Sequence, residues 1–359
     1  MTRLSPAMRS TLAQTALFAV SMAMALPIWA CTSAAAQTPA PTLPLVENFN
    51  RDWKFTKGDV AGAEAAGFDD AAWQSVRLPH DWAIAGPHDP DESGNTGKLP
   101  WKGVGWYRKT FTLDAAYAGN QVYLDFDGVM AFPKVYVNGQ LAGEWDYGYT
   151  SFRIDATKFV KFGQPNTVAV RVDTTKHGSR WYPGAGIYRK VTLVICNPIH
   201  IAHWGTFITT PEVSDEAATV NVQATIENHG DKVAEVSADI MLLHPDPTRS
   251  AAVACDTVQA TIPANGSAEV NMPLKVADPV RWDVTDPQLY EARINIRFGR
   301  KTWQMGDVIV DEEDTPFGIR TAEFTADDGF HLNGRRVQLK GVCLHHDHGP
   351  LGAAFDFGA

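Results

Sequence analysis

PKVYVNGQLAGEW, residues 133–145, reads as two short strands joined by a tight turn. Asn138 and Gly139 supply residues that accept positive φ, which a two-residue hairpin loop requires. Outward from this hairpin the strand period of two recurs. Trp106 to Leu113, Gln121 to Phe126, Thr167 to Val172 and Lys190 to Ile195 each place apolar residues at every second position. No helix-period segment of useful length lies between residues 100 and 310. Strand signals recur about every 8 to 12 residues, the rhythm of β-sandwiches.

A boundary falls near Asn197-Pro198. A second series follows: Ile199–Thr209, Ala218–Glu227, Val233–Leu243, Ala252–Ile262, Ser267–Val276, Leu289–Phe298 and Thr302–Val310. Seven strands match an immunoglobulin-like sandwich in number. The acidic run Asp311 to Asp314, closed by Pro316, reads as a solvated linker. Beyond it, Gly329 to Gly341 predicts a hairpin turning at Asn333-Gly334. Val337 to Leu344 predicts an apolar strand that needs neighbours to cover its faces and edges.

The chain has 359 residues, enough for two or three domains, and its 11 Trp and 45% hydrophobic content suit a folded protein. Its start reads as a secretory signal over residues 1–36. Arg3 and Arg9 precede an uncharged core from Ala16 to Leu26, and Ala34-Ala35-Ala36 before Gln37 forms a small-residue cleavage site. A membrane anchor would need about 20 apolar residues, and Pro27 interrupts this stretch. Cys31 after Ile28-Trp29-Ala30 opens a lipoprotein alternative, against which Trp29 counts. The expectation is a secreted, periplasmic or extracellular protein with no membrane span, its fold preceded by a Pro-, Ala- and Thr-rich linker over residues 37–44.

Net charge is −10, or −12 once Arg3 and Arg9 are removed. No basic stripe compensates, so phosphate backbones are repelled and nucleic-acid binding is disfavoured. Cys196, Cys255 and Cys343 are an odd, widely spaced set that implies no disulfide framework. Cys343, inside the apolar run, is expected as a small buried hydrophobe.

Strand alternation makes His345 and Asp347 point together, just past the strand end where parallel α/β barrels carry functional groups. His345, His346, Asp347 and His348 are all metal-ligand types, but adjacent strand residues face opposite ways and no further ligand cluster stands out elsewhere. No metal or cofactor is therefore assigned, and a divalent cation in a longer form stays open.

GVCLHHDHGPLGAA, residues 341–354, resembles the opening barrel strand of glycoside hydrolase family 2, particularly its bacterial β-galactosidase-like members. LPHDW (78–82), GVGWYRKTF (103–111) and SRWYPGAGIYRKV (179–191) are similar to that family's sugar-binding jelly roll. RWDVTDPQLY (281–290) resembles the end of its immunoglobulin-like domain, and FGIRTAEF (317–324) its approach to the barrel.

The resemblance implies a mainly β chain with a jelly-roll sugar-binding domain over 45–197, an immunoglobulin-like sandwich over 198–312 and the incomplete start of a (β/α)8 catalytic barrel over 313–359. It implies retaining hydrolysis of terminal β-linked sugars by two glutamates about 5 to 5.5 Å apart. Both are expected beyond this sequence, so the chain is expected to be inactive alone. A carbohydrate is the implied partner, and homo-oligomerisation of a longer form stays open.

By position, His345 matches a histidine that hydrogen-bonds substrate hydroxyls, with Asp347 beside it. Arg180, Trp181 and Tyr182 match a loop bordering the sugar subsite, where an aromatic face and a guanidinium fork suit a sugar. Asp81 is a turn or cap residue or a ligand, and Gly184-Ala185-Gly186 serves backbone shape. β-Glucuronidase, β-mannosidase and a stand-alone carbohydrate-binding module are the alternatives.

Overall fold

A computed structural model describes residues 43–249, 251–298, 308–345, 347–356 and 358. The expected signal, Cys31, nearly all of the 37–44 linker and His346 lie outside the described residues. Ten strands build the first sandwich: β1 (Leu45–Asn48), β2 (Trp53–Lys57), β3 (Gln74–Val76), β4 (Val104–Thr112), β5 (Gln121–Phe126), β6 (Lys134–Val137), β7 (Gln140–Glu144), β8 (Phe152–Asp155), β9 (Pro165–Asp173) and β10 (Val191–Cys196).

They form two antiparallel sheets, β3-β2-β4-β9-β6-β7 and β1-β10-β5-β8. Period-two apolar residues of both sheets meet in one core, including Trp53, Phe55, Tyr107, Leu124, Phe126, Val135 and Val170. The hairpin at Asn138-Gly139 forms as expected. Val137 pairs with Gln140 across Asn138 and Gly139, whose φ values are 52° and 83°.

β4 is buried on both faces, which simple alternation does not predict. Its Arg108 is 1% exposed and holds the loop of residues 63–70 over the sheet. Nε donates to Asp70 Oδ2 at 2.8 Å, and Nη1 donates to the carbonyls of Ala63 and Ala65. A buried guanidinium is tolerated because its donors are met by a carboxylate and by backbone oxygens.

The second sandwich comprises β11 (Ile199–Val213), β12 (Ala217–Asn228), β13 (Ala234–Leu243), β14 (Ala252–Ile262), β15 (Gly266–Ala277), β16 (Tyr290–Phe298) and β17 (Ile309–Phe317). Its sheets run β11-β12-β15 and β14-β13-β16-β17. β12 alternates buried and half-buried residues along most of its length. Val220, Val222 and Ile226 are fully buried, each worth about 1.5–3 kcal/mol of apolar transfer.

Three expectations need correction here. The acidic run is not a linker: Asp311, Glu312, Glu313 and Asp314 lie within β17, paired with Ile296, Asn295, Ile294 and Arg293 of β16. Charges suit an edge strand, and Arg293 clamps the Asp314 carboxylate with two 2.7 Å bonds. Asp311 is buried and accepts the Ile201 N–H at 2.6 Å, which ties β17 to β11. The sandwich thus runs through the expected 312/313 boundary to Phe317 and Ile319, both in its core. The strand expected over Thr302–Val310 lies mostly outside the described residues, and β17 begins at Ile309.

After β17 come β18 (Ala322–Thr325), β19 (Gly329–Leu332) and β20 (Arg335–Arg336), a small antiparallel sheet turning at Asn333-Gly334. The apolar run Val337–Leu344 is not a strand. Val342 and Leu344 are 84% and 89% exposed, and Cys343 is exposed rather than buried. No neighbouring strand among the described residues offers it a ladder, so its apolar pattern alone does not make a strand. Among these residues no helix is long and apolar enough to cross a membrane.

Burial raises the Asp311 carboxyl to about 7, opposed by the Ile201 N–H. Between about pH 4 and pH 7 the folded state therefore holds a proton that the unfolded state has released, and rising pH costs stability across that window. Asp311→Asn keeps an acceptor for Ile201 without the buried charge. Relative to the parent, it is expected to gain up to roughly 4 kcal/mol between pH 4 and pH 8, from about 1.4 kcal/mol per unit. Urea unfolding of both proteins across that range checks this. A difference that stays constant with pH would show that Asp311 does not titrate in the fold.

Candidate functional site

Three segments far apart in the chain converge on one carboxylate at the first sandwich. Asp81 follows the buried Leu78 in LPHDW, Tyr182 and Ala185 belong to the loop before β10, and Ala353 belongs to the chain's last described stretch. Asp81 Oδ1 accepts the N–H groups of Ala83 and Ala185 at 3.0 and 3.1 Å. Its Oδ2 accepts the Tyr182 hydroxyl at 2.5 Å and the Ala353 N–H at 2.8 Å. Asp81 is 4% exposed. Burial is the largest influence and raises its carboxyl above the usual range, while the four donors oppose that rise. Burial and the nearby Asp81 charge push the Tyr182 phenol up, so it stays protonated and donates.

Glycine permits this close approach. A Cβ at Gly184 would run into Ala353, and one at Gly352 would run into Asp81 Oδ2; their φ values are 73° and 62°. Beside the knot, Tyr107 is fully buried and its hydroxyl lies 2.7 Å from His80 Nδ1. Burial pushes His80 down to about 4, so it is neutral near pH 7.

The knot presents an open wall. Trp181, next to Tyr182, is 44% exposed, and its Nε1 donates to Asp347 Oδ2 at 2.9 Å. The His345 ring centroid lies 4.5 Å from that of Trp181 at 40°. Arg180 is exposed at the same edge. His348 accompanies them at the turn, where its N–H donates to the Gly352 carbonyl at 2.7 Å.

Of the residues singled out in the sequence, Trp181, His345 and Asp347 therefore come together, with Arg180 adjacent in the chain. Their convergence is not the work of a strand, as alternation suggested, but of a turn anchored by Ala353. Asp81 and Tyr182 differ from expectation. Both are buried and spend their polar atoms on each other and on backbone, so they shape the wall instead of facing a ligand. Gly184 and Gly186 hold positive φ, as a role in backbone shape requires. Ala353 was missed, because nothing local marks an alanine as the partner of a carboxylate 272 residues away.

Among the described residues one group has metal-ligand composition and proximity: His200, Glu227 and His229, on the second sandwich. The sequence reading missed it, because their contact depends on the pairing of β11 with β12.

Two family models match the chain: glycosyl hydrolases family 2, sugar binding domain, over residues 47–197, and glycosyl hydrolases family 2 over residues 199–320. A β-galactosidase of Bacteroides ovatus is 39% identical over 90% of this chain and 37% of its own length. The crystal structure of a glycosyl hydrolase family 2 member from Bacteroides cellulosilyticus superposes with a TM-score of 0.79 at 36% identity, over 86% of this chain and 40% of that one. The crystal structure of a Bacteroides uniformis β-glucuronidase gives 0.78 at 28% identity, over 87% and 37%. The chain thus spans about two fifths of the length of these relatives.

Asp81→Ala would leave three buried N–H groups and a phenol without an acceptor, at about 1–3 kcal/mol each. The expected loss in urea unfolding is more than 3 kcal/mol, with faster proteolysis of the segment carrying Ala353. Tyr182→Phe removes one charge-assisted bond and should cost about 1.5–3 kcal/mol. An Asp81→Ala protein within 1 kcal/mol of the parent would contradict the knot.

Proposed function

Because the chain belongs to glycoside hydrolase family 2, we propose that it forms the sugar-binding wall and scaffold of a retaining β-glycosidase acting on terminal β-linked sugars, with a β-galactoside as first substrate. The observation that carries this reading is the Trp181–Asp347–His345 cluster. It offers an exposed indole face for the apolar side of a pyranose, and imidazole and carboxylate groups for its hydroxyls. The β-galactosidase of Bacteroides ovatus supports the choice of substrate.

Retaining hydrolysis needs an acid/base and a nucleophile about 5 to 5.5 Å apart across the scissile bond. The cluster and the knot beneath it contribute two carboxyl groups, Asp347 and Asp81. Asp81 is sealed among four donors and Asp347 is tied to an indole, so neither matches a free pair. The reading therefore assigns the bond-breaking carboxylates to residues outside these 359 and gives this chain recognition without turnover. It also places the protein outside the cytoplasm, on the charge and apolar pattern of residues 1–36.

A second substrate is favoured by one observation. The exposed Arg180 beside Trp181 presents a guanidinium suited to a uronate carboxylate, and the Bacteroides uniformis neighbour is a β-glucuronidase.

Calorimetric titration of the purified chain with methyl β-galactoside should show saturable binding near the millimolar range, about −4 kcal/mol, weakened at least tenfold by Trp181→Ala. A chromogenic β-galactoside should not be turned over. Methyl β-glucuronide binding more tightly than the galactoside, and losing that advantage in Arg180→Ala, would select the second substrate. Turnover by the chain, abolished by His345→Ala, would overturn the division of labour.

A further inference from the structure

The junction of the two sandwiches carries a side-chain arrangement separate from the Trp181 wall. His200 lies near the start of β11 and Glu227 near the end of β12, and the antiparallel ladder makes them Cα partners. Cross-strand partners send their side chains to the same face of a sheet. His229 follows two residues after Glu227, so strand alternation carries it toward that face, and its backbone N–H is fixed on the Pro198 carbonyl at 2.9 Å.

His200 is 2% exposed, and its Nδ1 lies 2.9 Å from the Asn197 carbonyl, to which it donates. That bond leaves Nε2 as the bare acceptor nitrogen. Nε2 is buried with no hydrogen-bond partner among the described residues. It faces Glu227 Oε2 at 3.6 Å, and the same oxygen lies 3.0 Å from His229 Nε2. The two imidazoles are nearly parallel, their centroids 5.3 Å apart, and the ligand atoms of all three residues fall within 4.8 Å of one another.

These separations have a chemical meaning. A tetrahedral ion with bonds of about 2.0–2.2 Å holds its ligand atoms roughly 3.4 Å apart, a value the observed 3.0 and 3.6 Å bracket. A buried imidazole whose other nitrogen donates to a backbone carbonyl is the arrangement by which proteins orient a metal-binding histidine. Two imidazoles and one carboxylate suit Zn²⁺ better than the all-oxygen preference of Ca²⁺ or Mg²⁺. Glu227 and His229 are part-exposed, which provides access. His200 also lines a cleft of about 490 Å³ between the sandwiches, where Asp125 and Asp127 are paired with Arg153 and Lys190 and where Glu312, Glu313 and Asp314 add an excess of acids. Such an acidic cleft concentrates cations.

We propose that His200, Glu227 and His229 form a Zn²⁺ site, completed by water, that pins the start of β11 to the end of β12 at the junction of the two sandwiches. Tyr123 of β5, in the first sandwich, backs the site: its hydroxyl lies 3.4 Å from His229 Nε2 and its ring centroid 5.8 Å from that of His200. The ion therefore stabilises the fold and the docking of the two sandwiches, and takes no part in sugar recognition.

The test uses the purified 359-residue chain, stripped with a chelator and dialysed against micromolar Zn²⁺. One zinc per chain is expected, with a rise in Tm that grows with Zn²⁺ concentration, as mass action on the folded state requires. Co²⁺ should give the visible absorption of a tetrahedral N/O site. Glu227→Gln and His229→Ala, at part-exposed positions that leave the core intact, should each weaken zinc binding at least tenfold and remove the Tm response, with unchanged β-sheet circular dichroism. His348→Ala should retain one zinc. Absence of stoichiometric zinc would overturn the site in favour of a metal-free histidine–glutamate–histidine array. So would zinc that survives both junction variants or is lost with His348→Ala.

Discussion

The buried carboxyl group of Asp81 is the constraint on which the Trp181 end of the first sandwich depends. Three backbone N–H groups and one phenol point into a space closed to water, and the two oxygens of one carboxyl group accept from all four. Because the donors come from residues 83, 182, 185 and 353, the interaction sets the relative positions of the LPHDW turn, the loop before β10 and the turn of residues 347–354. Trp181 inherits its place from Tyr182, and Asp347 and His345 inherit theirs from Ala353. The exposed wall is thus a consequence of a sealed polar knot beneath it, as expected where a low dielectric makes every unmet donor costly.

The two sheets of the second sandwich are held together by a different device, the edge of a sheet. β17 carries four consecutive acids, two of which have partners on separate elements: Asp314 meets Arg293 of β16, and Asp311 meets the Ile201 backbone of β11. Charge on an edge strand usually discourages pairing with other chains. Here one of those charges turns inward and joins the two sheets of the sandwich, at the cost of burying an acid. Close by, His200 emerges just after the Asn197-Pro198 crossing between the sandwiches, and its buried Nε2 faces Glu227. The junction is consequently more polar than either core and lies beneath an acidic cleft.

The two sandwiches and their order agree with the family models, and the relatives are named as both β-galactosidases and β-glucuronidases. This mixture has a physical explanation. The scaffold is made of buried alternation, glycine-permitted turns and the Asp81 knot, whose polar atoms are spent on internal hydrogen bonds. The exposed side chains lie instead at the wall, where Arg180 adds a single guanidinium beside Trp181.

By itself the sequence determined the β architecture, since a period of two and Asn-Gly turns are local properties that need no partner to be read. It located both sandwiches, the hairpins at Asn138-Gly139 and Asn333-Gly334, and the residues Trp181, His345 and Asp347. Its errors share one cause. The acidic run 311–314 looked solvated because charge favours water, yet β16 and β11 supplied partners; Val337–Leu344 looked like a strand because it is apolar, yet no described strand pairs with it. Asp81 and Tyr182 were legible as polar residues near a loop, and only the fold decided that they face each other. The His200–Glu227–His229 group was invisible for the same reason. A hydrogen bond or ligand set depends on distance in space, and antiparallel pairing brings together residues whose separation along the chain carries no sign of it.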